Sequence, residues 1–332
     1  MSVRLIAPTM GKGKWGLRLT AFGLIAASPA LAAAPRNAIG FPILDATPES
    51  ITSTSDGTIY AGSISNGGVF RIAPGQTMAR AWIKPGALGT RSTLGVLADE
   101  RSGVLWVCSN DLAELGIKVP GNGQGSTLTA WDLKTAHLRL SRPLPVGAMC
   151  NDMAIDRSGS IYITNMAQPQ ILRLRHGGAK IEVWVQDERF NPEKGGDLDG
   201  IAIAGDGSII VNVFTRGELF RVTPSGSGAP LITQLTLSRP LQHPDGMRAI
   251  SGNTFILAEG GGRADMLTVS GDKVVVDTLR DRLTEPTSVT KSGSTIWVTD
   301  GPSAFVWEPR KPGSAGHVAK LIPVSPLQPR PR

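Results

Sequence analysis

The chain has 332 residues, including 40 glycines and 24 prolines, and a formal charge of +7. That charge sits at the ends. Residues 1–32 carry four basic residues and no acid, residues 310–332 carry five and no acid, and taking those nine from +7 leaves −2 for the body. The body therefore offers no nucleic-acid footprint, and its length suffices for one large domain with a sizeable core.

Residues 1–32 have the layout of a secretory signal. A basic segment ends at Arg18, an apolar run follows from Leu19 to Ala27, and Ala30-Leu31-Ala32 supplies the small residues of a cleavage site. The run is too short to span a bilayer; an uncleaved interfacial helix is the other reading. The mature protein is expected to be periplasmic or secreted, with no stable membrane insertion. Residues 33–45 read as a short lead-in.

Four strands are then predicted over Glu49–Thr54, Thr58–Ser63, Gly68–Ile72 and Ala79–Ile83, each with the period-two alternation of a half-buried strand. The set recurs. Third strands share an ending, in Val69-Phe70-Arg71-Ile72, Ile171-Leu172-Arg173-Leu174 and Leu219-Phe220-Arg221-Val222. Fourth strands are expected at Ala79–Ile83, His137–Leu140, Lys180–Val185, Pro230–Leu235, Lys273–Leu279 and His317–Ile322. Residues 111–125, with Gly121-Asn122-Gly123-Gln124-Gly125, form a loop inserted in the second set, either a lid or plain surface. No amphipathic helix of useful length is seen. Residues 325–332 read as a basic, Pro-rich tail.

A polar head recurs too. Gly159 follows Asn151 by eight positions, as Gly57 follows Glu49, Gly207 follows Asp199 and Gly293 follows Glu285; Gly252 follows Asp245 by seven. Leu94–Asn110 is a looser copy with no acid at its head. Six copies, about 47 residues apart and built of strands, mark an all-β fold, a six-bladed β-propeller with four-stranded blades over residues 33–324. Its inner strands start around one central channel, where Glu49, Asn151, Asp199 and Asp245 converge.

These heads offer only oxygen. Oxygen donors suit calcium, with magnesium or manganese also possible. Zinc is disfavoured because no histidine or cysteine cluster accompanies them. A divalent cation also removes the repulsion among clustered carboxylates. For any single head, a turn cap is the competing reading. Asp152 either orients Asn151 or reaches the channel itself. The direction of Glu285 is left open by the proline after it. His243, before Pro244-Asp245-Gly246-Met247, is placed at the channel mouth as a catalytic candidate. No serine elbow, P-loop or dinucleotide fingerprint is present. Cys108 and Cys150 fall at one end of neighbouring blades, either as a disulfide or as two buried thiols.

With Asn151-Asp152 heading Met153-Ala154-Ile155-Asp156, then Leu198-Asp199-Gly200-Ile201-Ala202 and His243-Pro244-Asp245-Gly246-Met247, and Glu49 in the first blade, the chain resembles the senescence marker protein/gluconolactonase/luciferin-regenerating-enzyme-like family over residues 41–322. The resemblance implies a divalent metal, usually calcium, held by Glu49, Asn151, Asp199 and Asp245, and often lactone hydrolysis with Asp245 as general base. Two departures stand out. Asp199 replaces an expected asparagine and makes it a second candidate base, and Thr47-Pro48-Glu49-Ser50 lacks the usual Gly-Glu-Gly-Pro. The expected activity is metal-dependent hydrolysis of lactones or related esters, sugar-lactone-like above all, by a monomer acting on a small-molecule substrate. Arg91, Arg248 and Asp152 are candidates for binding it. The rivals are a periplasmic binding or scaffold propeller with a structural metal, for which the channel mouth would be plugged, and a protein-interaction propeller.

Overall fold

A computed structural model describes residues 38–121, 123–190, 197–226, 228–303 and 317–324. The signal segment 1–32 and the tail 325–332 lie outside these residues. Six antiparallel sheets follow one another along the chain. Blade 1 comprises β2 (Pro48–Ser53), β3 (Ile59–Ser63), β4 (Val69–Ile72) and β5 (Arg80–Ile83), in that order from the channel outward. Blade 2 is β6 (Ser92–Asp99), β7 (Val104–Asn110), β8 (Thr127–Asp132) and β9 (Leu138–Pro143). Blade 3 is β10 (Cys150–Ile155), β11 (Ile161–Asn165), β12 (Gln170–Leu174) and β13 (Ile181–Gln186). Blade 4 is β14 (Leu198–Ile203), β15 (Ile209–Val213), β16 (Glu218–Thr223) and β17 (Leu231–Gln234). Blade 5 is β19 (Pro244–Ser251), β20 (Thr254–Glu259), β21 (Arg263–Ser270) and β22 (Lys273–Arg280). A two-residue strand, β18 (Thr236–Leu237), runs parallel along the outside of β22. The only helical segments among the described residues are three-residue 3-10 turns.

Blade 6 corrects one expectation. It runs from β23 (Val289–Ser292) through β24 (Thr295–Asp300) to β25 (Lys320–Val324), so the strand expected to be outermost is third. The outer place is taken by β1 (Ile39–Gly40), inside the stretch read as a lead-in, with Ile39 opposite Leu321. The first and last parts of the chain thus share one sheet, closing the ring by backbone hydrogen bonds where an open blade edge would otherwise stand. Closure continues at the channel, where Ile51 N–H donates to Ser288 Oγ at 3.1 Å and Thr287 Oγ1 donates to the Pro48 carbonyl at 3.0 Å.

The core lies between blades. Ala154, Tyr162 and Ile171 of blade 3 form one buried cluster with Ile201, Val211 and Phe220 of blade 4, and similar layers lie between other neighbours. Second strands therefore bury both faces, which is why β3, β11 and β15 are buried at every position, whereas outer strands such as β9 alternate.

Of the two readings of the cysteines, the structure has the disulfide. Cys108 near the end of β7 is bonded to Cys150 at the start of β10, with their Cα atoms 5.4 Å apart. Asn110 brackets the same point, its amide accepting from Cys150 N–H at 2.9 Å and donating to the Cys150 carbonyl at 2.7 Å. With 42 positions between the cysteines, loop-closure entropy puts the bond at about 4 kcal/mol, with about 2–5 kcal/mol typical. A Cys108→Ala/Cys150→Ala variant is expected to lose that order of stability in urea, with a larger m-value because the unfolded chain is no longer cross-linked. The unreduced, unfolded parent should titrate no free thiol.

Candidate functional site

The heads owe their direction to a repeated irregularity. In five blades the ladder between the first two strands breaks at the start of the inner strand: at Pro48/Ile51, Thr93/Val96, Cys150/Met153, Leu198/Ile201 and Pro244/Met247. Two residues are left out of register each time, and such a bulge re-aims side chains. The first of each pair, namely Glu49, Leu94, Asn151, Asp199 and Asp245, lines a pocket at the channel mouth, with Thr287 as the sixth-blade member. The second of each pair abuts the next blade. A Cβ on Gly95 would lie 2.3 Å from the Asn151 carbonyl oxygen, and one on Gly200 would lie 2.3 Å from that of Asp245, so glycine permits the close approach.

Second strands lock this ring. Asn212 accepts from Gly200 N–H at 3.0 Å and donates to the Asp245 carbonyl at 2.7 Å. Thr164 Oγ1 accepts from Asp152 N–H at 3.0 Å and donates to the Asp199 carbonyl at 2.6 Å. The heads of blades 3, 4 and 5 are thus tied in sequence through side chains that sequence reasoning did not single out.

Glu49, Asn151, Asp199 and Asp245 are all buried, and ligand oxygens of Glu49, Asp199 and Asp245 lie within 4.8 Å of one another. Burial pushes the Asp199 carboxyl up to about 7, with the nearby Asp152 charge adding to the rise and hydrogen bonds from Asp245 and Asn151 opposing it. Asp245 is held well above the usual carboxylate range by burial and by the charges of Asp199 and Glu49. Burial raises Glu49 as well, helped by Asp199 and Asp152 and opposed by Arg248. Asp199 and Asp245 share a hydrogen bond, and Asp245 Oδ1 also accepts from Gly246 N–H at 2.8 Å.

These residues fit a hard divalent cation. Glu49 Oε2, Asn151 Oδ1 and Asp199 Oδ1 are buried oxygens with no hydrogen-bond partner, each at a cost that a bound cation removes. All four heads supply oxygen, and the three acids among them, Glu49, Asp199 and Asp245, are raised toward protonation, as expected where carboxyl groups are buried together.

The other expected site residues are placed differently. Arg248 lies beneath the acid floor. Its guanidinium pairs with Asp152 Oδ2 at 2.5 Å and donates to Met247 O, Ser50 Oγ, Ile51 O and Val96 O at 2.8–3.3 Å. It reaches blades 1, 2, 3 and 5 and faces a second cavity, of about 360 Å³, beside the inner strands. Arg248 and Asp152 are therefore an axial ion pair, and neither lines the mouth pocket. Arg91 lies under the blade 2 insert, donating to Gly121 O at 2.7 Å, Thr127 Oγ1 at 3.2 Å and Gln124 Oε1 at 3.3 Å. Both arginines were expected to orient substrate, yet the hydrogen bonds they make go to the protein, Arg248 Nε being buried without a partner. His243 is exposed, has a left-handed φ of 56° and stacks on Phe214 at 4.9 Å, which places it at the rim. Glu285 accepts from Ser303 and stands outside the head ring, Thr287 occupying the place its register suggested.

The mouth pocket has a volume of about 250 Å³. Its walls are Ile64, Met166 and Phe214, with Leu94 and Leu198 deeper. Sequence reasoning missed them, although a signal was present. Each of the first three follows the last residue of a second strand, β3, β11 or β15, and its N–H donates to the residue two positions before the head: Ile64 to Thr47 O, Met166 to Met149 O and Phe214 to Asp197 O. No described residue of the 111–125 insert lines the pocket, so none of them plugs the mouth; Leu112, Ile117 and Val119 instead anchor the insert in the core cluster of blades 2 and 3.

No protein-family model matches the chain, and no curated protein does. Solved structures do. A gluconolactonase from Xanthomonas campestris is 13% identical, with 88% of this chain and 99% of that one covered, at a TM-score of 0.59. A calcium-binding regucalcin from Agrobacterium tumefaciens is 16% identical over 85% and 92% of the two chains, at 0.56. A virginiamycin B lyase from Staphylococcus aureus, solved with quinupristin, is 18% identical over 85% and 82%, at 0.55. At these identities the likeness shows the fold alone.

Proposed function

We propose that the protein is a divalent-metal-dependent hydrolase of lactones or related esters. The observation that carries this reading is the convergence of four oxygen-bearing heads, three of them with an unpartnered buried oxygen, on the floor of a pocket with apolar walls. Glu49, Asn151, Asp199 and Asp245 would hold the ion, with calcium the best match to an all-oxygen set. When bound, the cation supplies Lewis-acid polarisation of the ester carbonyl and stabilisation of the developing oxyanion.

The chain's own residues do the rest. Asp245 or Asp199 takes a proton from the water that attacks the carbonyl carbon. The acyl C–O bond then breaks and the leaving alkoxide takes up a proton. Ile64, Met166 and Phe214 exclude bulk water from the ring, and His243 on Phe214 frames the entrance. Two of the fold relatives add support, one a gluconolactonase and one a calcium-binding protein. The disulfide supports a periplasmic or secreted protein, which the signal-like start of the sequence also favours. No helix among the described residues is long and apolar enough to cross a membrane.

The test is a panel of lactones and esters assayed with chelator and again with calcium, magnesium or manganese restored. Turnover is expected to vanish with chelator and return with metal. If the metal-loaded protein hydrolyses nothing while metal still raises its melting temperature, the ion is structural and the binding-propeller reading takes over.

A further inference from the structure

We propose that the mouth pocket selects neutral lactones or esters bearing an alkyl or aryl substituent, and discriminates against polyhydroxylated and anionic ones. The inference rests on the hydrolase reading above and narrows it away from the sugar lactones that the sequence suggested. Its first support is the split in the head ring. Blade 2 presents Leu94 where blades 1, 3, 4 and 5 present oxygen, so one sector of the floor is apolar. Ile64, Met166 and Phe214 extend that surface upward at equivalent positions of three blades.

The second support is independent of hydrophobicity. The remaining polar side chains described around the pocket are already engaged. Asp197 accepts from Thr215 N–H and Oγ1. Thr287 Oγ1 is bonded to Pro48 O and Thr299 Oγ1, both at 3.0 Å. Ser303 Oγ donates to Glu285 at 3.1 Å. A sugar ring entering here would give up the water on several hydroxyls and find few partners in exchange, and unmatched buried polar groups are costly. An anionic substituent fares worse. Asp197 adds a further acidic side chain to the pocket lining, and the guanidinium groups of Arg91 and Arg248 are turned to the blade 2 insert and the channel axis. An alkyl or aryl group instead covers the half-buried Met166 and Phe214, whose apolar surface is otherwise wet, above the buried Ile64 and Leu94.

The test uses the full mature protein loaded with calcium and a series of γ-lactones whose side chains lengthen from one to six carbons. Gluconolactone and a carboxylate-bearing γ-lactone serve as contrasts. The matching γ-lactams, which resist hydrolysis, are titrated by calorimetry as a readout of binding without turnover. Each added methylene is expected to tighten lactam binding and raise kcat/KM by about fourfold until the pocket is full. Phe214→Ala, on the half-buried wall, should flatten that dependence. Gluconolactone or the anionic lactone outperforming the alkyl series in kcat/KM would overturn the inference while leaving the hydrolase reading intact. Chain-length-dependent lactam binding with no hydrolysis of any lactone would sustain the inference and overturn the hydrolase reading. Absence of both binding and turnover would overturn both.

Discussion

Replacing Asp245 with asparagine is expected to lower lactone turnover by about 10²–10⁴-fold, the usual worth of a general base, while calcium still binds. The asparagine keeps a carbonyl oxygen for the ion and can still accept from Gly246 N–H, so what is lost is the capacity to take up a proton. Glu49→Gln should behave differently. It removes charge from the ion's surroundings without touching a candidate base, so its loss of turnover should be largely recovered at high calcium. Calorimetric titration of calcium beside steady-state kinetics separates the two. A drop of less than about tenfold in Asp245→Asn would move the base to Asp199 or His243.

The same cluster fixes a pH dependence. In the metal-free protein Asp199 titrates near 7, and Glu49 and Asp245 are also raised above their usual values. Between the ordinary carboxylate range, near 4, and about 7 the native state then binds more protons than the unfolded chain, so stability must fall as pH rises through that window. Protons and cation compete for the same oxygens, so the stabilisation by calcium should grow over that same rise. Melting curves with chelator and with calcium are thus expected to diverge from pH 5 to pH 8. In chelator at pH 8, Asp245→Asn should melt above the parent, because it relieves repulsion among three buried acids. Parallel curves with and without calcium at every pH would remove these acids from the ion's site.

What the sequence made legible was what repeats. The spacing from each polar head to its turn glycine located six blades, and the heads Glu49, Asn151, Asp199 and Asp245 converge as expected because each begins an inner strand at the same ladder break. Glu285 shares the spacing but not the placement, since its carboxylate turns to Ser303. The outer strand of blade 6 was hidden because a two-residue strand from the far end of the chain has no local signature. The arginines were hidden for another reason. A long side chain near a channel reads as a ligand for substrate until its partners are known, and those of Arg248 come from positions such as Ser50, Val96 and Asp152, which no local pattern connects. The apolar walls were legible in principle, as the residue after each second strand, but an isolated Ile64 or Met166 at a strand end carries no chemical flag.

Arg248 gives the second large effect. Its side chain is buried with Asp152, pairs with that carboxylate at 2.5 Å and donates to groups of blades 1, 2 and 5 around it. Arg248→Met keeps much of the volume and removes the charge, leaving Asp152 buried without its counter-ion. Its Oδ1 already lacks a partner, so Oδ2 would join it. Breaking a buried pair from one side typically costs about 3–5 kcal/mol, whereas replacing both partners with apolar groups is often neutral. Arg248→Met is therefore expected to lose stability of that order in urea, and Arg248→Met/Asp152→Leu to regain most of it. Calcium affinity should move the opposite way from stability. Arg248 is the cation that holds the Glu49 carboxyl down against burial, so its removal makes the floor more negative and should tighten calcium binding in the single variant. Adding Asp152→Leu takes a negative charge away again and should return affinity toward the parent. If Arg248→Met instead unfolds at the parent's urea midpoint, the ion pair is not what joins the inner strands, and the ring rests on Ser50, Thr164, Asn212 and Thr287 alone.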